Sequence, residues 1–197
     1  MGPGARRTIG DRLKGSQGRG STPRARPFLV RAKPEDAETI ATLRCEVAQD
    51  MTRRFGKGPW SGSGTVRGVR WDMRRGRLFV ARRGRRIIAC LTLDTRRPWA
   101  IDATCFGPCR RPHYLTAMAV APEFQRRGVG RRCLADLSRK AIHEDADAIR
   151  LCAFDADAGA GGFYASCGFR EVARVRYRNT PLIYFEWLVG GAERRSM

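Results

Sequence analysis

The sequence predicts one α/β (α+β) domain, a sandwich of helices around a single central sheet, and three observations lead to it. The chain has 197 residues, of which 42% are apolar and 29% charged, enough to build one core and too few for two well-packed domains. Apolar spacing alternates along the chain between the strand period of two and the helical period of 3.6. A loop with two glycines, Gly128-Val-Gly130, joins a strand-like run to a helix-like one. There is no internal repeat.

Residues 1–27 are rich in Gly, Arg, Pro and Ser without an apolar period, the composition of a disordered basic tail. Phe28 to Ala32 reads as a short strand. Pro34 then suits a first helical turn, Glu35 and Asp36 favour its positive end, and Ile40, Leu43 and Val47 recur at helical spacing. From Thr52 to Arg75 the pattern blurs into Gly and Arg, with Trp60 and Trp71 as anchors for a short helix or loop over a cleft. Arg77 to Arg82 and Arg86 to Asp94 flank a turn at Gly84 and read as a hairpin. Residues 95–112 read as a loop, His113 to Val120 as a strand, and Gly128 to Glu144 as a helix with Val129, Cys133, Leu134, Leu137 and Ile142 on one face. A strand from Ile149 to Phe154, a helix from Ala158 to Cys167 ending at Gly168, and strands over Glu171 to Tyr177 and Leu182 to Val189 complete the order. The domain is thus expected over 28–190, with a short C-terminal tail at 191–197.

Charge is the unusual feature: 39 basic against 19 acidic residues give +20, and the body keeps +14 without its +6 tail. Only four of the basic residues are lysines, leaving 35 arginines, a skew that GC-rich codon usage explains as readily as nucleic-acid contact. Residues 53–86 alone hold twelve basic groups and one acid. Such a surface repels cationic small molecules and draws acidic ones, or RNA. No run approaches the length of a membrane span, no apolar segment near the start forms a signal peptide, and Arg6-Arg7 lacks the apolar core of a twin-arginine signal. A soluble cytoplasmic protein is expected, its seven cysteines reduced and mostly buried.

The most informative stretch runs from Tyr114 to Val120 through Ala-Pro-Glu-Phe to Gln125-Arg-Arg-Gly128-Val-Gly130 and then the helix. Glycines at a helix start let free backbone N–H groups approach an anion such as a pyrophosphate, with the helix dipole in support. Arg126, Arg127 and Arg131 add positive charge; the alternative is a tight turn with solvated arginines. A dinucleotide fold fits poorly, because several residues separate strand and first glycine and Cys133 stands where the third glycine belongs. A Walker-type loop would need Gly-Lys-Ser/Thr, which does not occur.

Gln125 to Gly130 matches Gln/Arg-x-x-Gly-x-Gly/Ala, and Asp157-Ala-Gly-Ala160-Gly-Gly-Phe163-Tyr164-Ala-Ser-Cys-Gly168-Phe169 follows Asn-x-x-Ala-x-x-Phe/Leu-Tyr-x-x-x-Gly-Phe with Asp157 for the asparagine. In these two motifs the chain resembles the GCN5-related N-acetyltransferase (GNAT) superfamily, sharply over 113–170 and in element order over 28–189. The resemblance implies a mixed central sheet of about six or seven strands, split at the acyl-CoA site and flanked by about four helices. It implies acetyl-CoA as cosubstrate, with Met118, Ala119 and Val120 pairing with the pantetheine arm and the loop from Gln125 through Arg126, Arg127, Gly128, Val129 and Gly130 to Arg131 holding the pyrophosphate. Ala160 belongs to the same site; Asp157 either joins it or caps its helix.

By the same resemblance Tyr164 is the general acid for the departing thiolate, the bland reading being a packed tyrosine. An alkyl amine with a pKa near ~10.4 must lose a proton before it attacks, and no base is evident. Water is the default, with Glu123 as the side-chain candidate. Cys152 stands where ribosomal-protein N-terminal acetyltransferases carry a glutamate, which argues against that substrate. The function expected is transfer of acetyl to a primary amine by direct attack. The alternatives are a nucleic-acid-linked acetyltransferase of the aminoacyl-tRNA-acetylating toxin type using the basic 53–86 surface, and a basic binding module without catalysis. A homodimer is compatible with any of these. Cys105, Cys109 and His113 lack a fourth ligand and a familiar zinc spacing, so no metal is expected; Cys167 reads as core and His143 as surface.

Overall fold

The computed structural model describes residues 28–62 and 64–189, so the tails expected at 1–27 and 191–197 lie outside the described residues. Seven strands, β1 (Leu29–Arg31), β2 (Arg77–Arg83), β3 (Arg86–Asp94), β4 (Pro112–Val120), β5 (Ala148–Phe154), β6 (Arg170–Tyr177) and β7 (Thr180–Leu188), form one sheet in the order β1-β2-β3-β4-β5-β7-β6. All neighbours are antiparallel except β4 and β5, and a parallel pair needs a crossover, supplied by α3 (Val129–His143). The other helices are α1 (Ala37–Phe55), α2 (Val66–Arg75) and α4 (Gly161–Ser166). The mixed sheet with four helices is the architecture the sequence led us to expect.

The central strands are buried on both faces, which is why their sequences read as near-continuous apolar runs. In β2, Leu78 and Val80 pack with Ile40, Leu43 and Val69 of α1 and α2, while Phe79 and Ala81 turn to Leu134 and Leu137 of α3. The edge strand β1 is tied to α3 by Asp136, whose buried carboxylate accepts the Leu29 N–H at 2.8 Å. Among the described residues no helix is long and apolar enough to cross a membrane.

Several boundaries differ from the sequence reading. The first helix runs on to Phe55, and the blurred 52–75 stretch contains a 3₁₀ turn at Pro59–Ser61 and all of α2, whose N-cap Thr65 accepts the Gly68 N–H at 3.0 Å. Residues 95–112 form a packed segment rather than a bare loop. Its Ile101 and Phe106 are buried against Tyr114, Leu182 and Tyr184, and Arg150 donates to the Gly107 carbonyl at 2.7 Å. The helix expected from Ala158 starts only at Gly161, because a turn at Gly159 brings the chain so close that a Cβ there would lie 1.9 Å from the Phe154 carbonyl oxygen. Ile142 is 51% exposed, off the buried face of α3 where the sequence reading put it.

One feature of the sheet positions the site. β4 and β5 pair only through Pro112, His113 and Tyr114 with Ala148, Ile149 and Arg150, and then part. On the other side of β4, the register against β3 slips between Cys90 and Thr92, which face Ala119 and Thr116. The extra residue is a bulge containing Ala117, held at φ 49°. Beyond Tyr114, the side of β4 that faced β5 is without a strand partner, while the other side stays paired with β3.

Candidate active site

Two clefts open at this split and share no lining residue; Met118 lines the first and its neighbour Ala117 the second. The first, about 550 Å³, is lined by Met118, Ala119, Val120, Gln125, Arg126, Gly128, Gly130, Arg131, Asp157, Ala160 and Tyr164. The structure thus brings together all but two of the residues the sequence assigned to the cosubstrate and the general acid. Arg127 and Val129 are outside the lining, and Val129 packs on the core between α3 and the sheet instead.

The glycine loop is shaped by backbone constraints. Gly128 is the N-cap of α3 at φ 77°, a left-handed conformation that side chains disfavour, and its open side faces the cleft. At Gly130 a Cβ would come within 2.9 Å of the Phe163 ring, so any larger residue must push that ring aside. The Gln125 amide donates to the Val120 carbonyl at 3.0 Å and closes the loop onto the end of β4. The first N–H groups of α3 have no intrahelical acceptor, and Gly128 and Gly130 of this turn line the cleft together with Arg126 and Arg131, which add charge. Arg131 also donates to the Ser166 carbonyl at 2.8 Å and so pins α3 to α4. Asp157 does not cap α4, whose N-cap is Ala160; it lines the cleft.

Tyr164 lies at the inner end, only 8% exposed, with its hydroxyl 3.9 Å from the Met118 sulfur and its ring against Phe163, Phe169 and Phe185. Burial pushes its pKa well above the usual phenol value, so it keeps its proton at neutral pH. Glu123 is not at the site: it is paired with Arg86 and lines neither of these clefts.

Sequence reasoning missed the wall that α1 contributes, Val47, Met51, Arg54 and Phe55. The signal was present, since Val47, Met51 and Phe55 continue the apolar stripe of Ile40 and Leu43 at helical spacing. It also missed the second cleft, about 700 Å³, assembled from Trp71, Asp72, Thr92, Asp94, Trp99, Thr116, Cys152, Phe154, Tyr177 and others spread over 124 residues from Pro59 to Leu182. Trp60, one of the expected anchors, sets its ring edge-on to Phe154 at 5.9 Å and so fixes the α1–α2 connection over the diverging strands. Asp72 is held by Arg44 at 2.7 Å, and burial pushes the Cys152 thiol up. Among the described residues no three His, Cys, Asp or Glu side chains gather as a metal site would require.

A forked sheet, a glycine-capped helix and a bulged strand edge define an acyl-CoA-binding fold. The acetyltransferase (GNAT) family model matches residues 33–169, and the chain belongs to that family. Solved structures agree in fold. The ribosomal-protein-S18-alanine N-acetyltransferase from Escherichia coli superposes with a TM-score of 0.62 at 15% identity, over 82% of this chain and 92% of that one. The ribosomal-protein-alanine N-acetyltransferase from Brucella melitensis gives 0.60 at 16%, over 81% and 98%. An aminoglycoside 6'-N-acetyltransferase complexed with coenzyme A gives 0.59 at 12%, over 82% and 96%. No curated protein sequence matches. The chain is accordingly an acetyl-CoA-dependent N-acetyltransferase, and the residues lining the first cleft fit that cosubstrate.

Proposed function

We propose that this enzyme transfers acetyl to a primary amine by direct attack, with the donor in the first cleft and the acceptor in the second. The observation that carries this reading is that the adjacent residues Met118 and Ala117 line different clefts on the stretch of β4 that has parted from β5. When bound, acetyl-CoA supplies the activated thioester. The amides at the start of α3, with Arg126 and Arg131, hold its diphosphate, and the free edge of Met118 to Val120 takes the pantetheine arm as an added strand. Backbone donors of that edge polarise the acyl carbonyl.

Tyr164 keeps a proton at its hydroxyl, at the inner end of the donor cleft, for the departing sulfur. The acceptor's proton leaves through water. Asp94, whose Oδ1 accepts the Arg96 N–H at 2.9 Å, offers its other oxygen to an ammonium arriving in the second cleft. The free thiols of all seven cysteines suit a reducing compartment such as the cytoplasm.

The test is release of free CoA thiol from acetyl-CoA across polyamines, aminoglycosides, peptides and charged tRNA, with the acetylated amine identified by mass. At least one class should give equal amounts of thiol and acetylamine, and Gly128→Val should give neither. Wild-type protein that shows no calorimetric affinity for acetyl-CoA would refute the assignment of the donor cleft.

A further inference from the structure

The acceptor cleft adjoins a third, of about 400 Å³, with which it shares Arg75, Gly76 and Asp94. Arg31, Arg74 and Arg77 line that third cleft, and His113, 5% exposed, presents an Nδ1 without a hydrogen-bond partner among the described residues. Arg77 is neutralised by Glu144, but Arg31 and Arg74 have no ion pair among the described residues. The charge continues along α2, where Arg67, Arg70 and Arg74 recur at helical spacing, all exposed and likewise without an ion pair. Five arginines (31, 67, 70, 74 and 75) thus form a track from the outer face of α2 to the acceptor opening.

The same opening is walled by rings. Trp99 is 75% exposed and Trp71 49%, an unusual cost to solubility for side chains of this size. Trp99 rests on Tyr177 at 4.8 Å, and the Arg75 guanidinium lies 4.4 Å over Trp71. Stacking rings beside a basic track are the two elements by which proteins hold unpaired nucleotides. A duplex would hide its bases from the tryptophans, an acidic peptide would have no use for them, and a small anion would not need arginines as far away as Arg67.

Resting on the acetyl-transfer reading above, we propose that the acceptor amine is carried on a single-stranded nucleic acid. Its bases stack on Trp71 and Trp99, and its phosphates follow the arginines of α2 into the third cleft. In the transfer the carbonyl carbon leaves sulfur and joins nitrogen, the amine gives up one proton and the thiolate gains one.

The experiment uses the full chain and fluorescein-labelled twelve-nucleotide single strands of RNA and DNA, followed by anisotropy at about 50 and about 200 mM salt. Five phosphate contacts should weaken binding about 100-fold across that range. Arg70→Ser with Arg74→Ser should flatten the salt slope, whereas Trp71→Ala with Trp99→Ala should weaken binding at least about 10-fold and leave the slope unchanged. Phenylalanine at both tryptophan positions should restore most of the loss, which a folding defect would not. A preference for the RNA or the DNA strand identifies the source of the acceptor. Equal competition by polyglutamate or by duplex, or a tryptophan pair that is dispensable, overturns the proposal. Calorimetry of acetyl-CoA on the same variants keeps the two readings apart. Intact donor affinity with no strand binding sinks this inference alone, and strand binding without donor affinity sinks the donor assignment alone.

Discussion

The clefts proposed for donor and acceptor are built in different ways although their linings include the adjacent residues Met118 and Ala117. Twelve of the eighteen residues lining the donor cleft come from two short stretches, 118–131 and 157–160, and they act mainly through the backbone: a left-handed glycine cap, a strand edge and free helix amides. The acceptor cleft is assembled from five strands, one helix and three connecting segments, and its character depends on tryptophans, aspartates and arginines. A site made of backbone survives drift in side chains and serves one invariant ligand; a site made of side chains can change its ligand without touching the fold.

The largest expected effect lies beneath the acceptor side. Arg150 and Glu186, 5% and 3% exposed, form a buried pair at 2.9 Å, and Arg150 also holds the 95–107 segment through the Gly107 carbonyl. Glu186→Gln leaves a buried guanidinium uncompensated and should cost about 3–5 kcal/mol in urea unfolding, while the folded fraction keeps its acetyl-CoA affinity. If donor affinity fell in step with stability, the two clefts would not be separable.

Gly130→Leu strikes the donor side in return. Its side chain must displace Phe163, so calorimetry should show acetyl-CoA affinity reduced at least about 300-fold, equivalent to about 3.4 kcal/mol. Next in size is Tyr164→Phe, expected to lower kcat about 100-fold with little change in acetyl-CoA affinity. An unchanged kcat would leave Tyr164 with packing alone.

The smallest effect is a pH dependence. Burial, with Arg77 and Arg111 nearby and only partly offset by Glu144 and Asp94, depresses the pKa of His113 below its ordinary value of ~6.5. The unfolded chain then binds the proton more readily than the native one, so this contribution is complete above about pH 6.5 and is lost as pH falls toward the lowered value. Denaturant midpoints should decline in that acid window for the wild type and decline less for His113→Gln.

How much of this was legible follows the same division. The order of strands and the donor cleft could be read because period-two runs, the glycine pair and Tyr164 lie close together in sequence. The missed Val47–Met51–Phe55 wall extended a stripe already visible. The acceptor cleft could not be read, since nothing local announces that Trp71, Trp99 and Tyr177 converge across a forked sheet. Spacing alone also could not show that Gly159 turns the chain and shortens α4, or that Glu123 is taken by Arg86. Those outcomes depend on partners 5 residues away in one case and 37 in the other.

The parting of β4 from β5 after three residue pairs carries a kinetic meaning. On the proposed reading each reactant has its own seat, so neither must vacate before the other arrives and no group on the enzyme has to carry the cargo between visits. Double-reciprocal plots for the two substrates should therefore cross rather than run parallel, the signature of a ternary encounter.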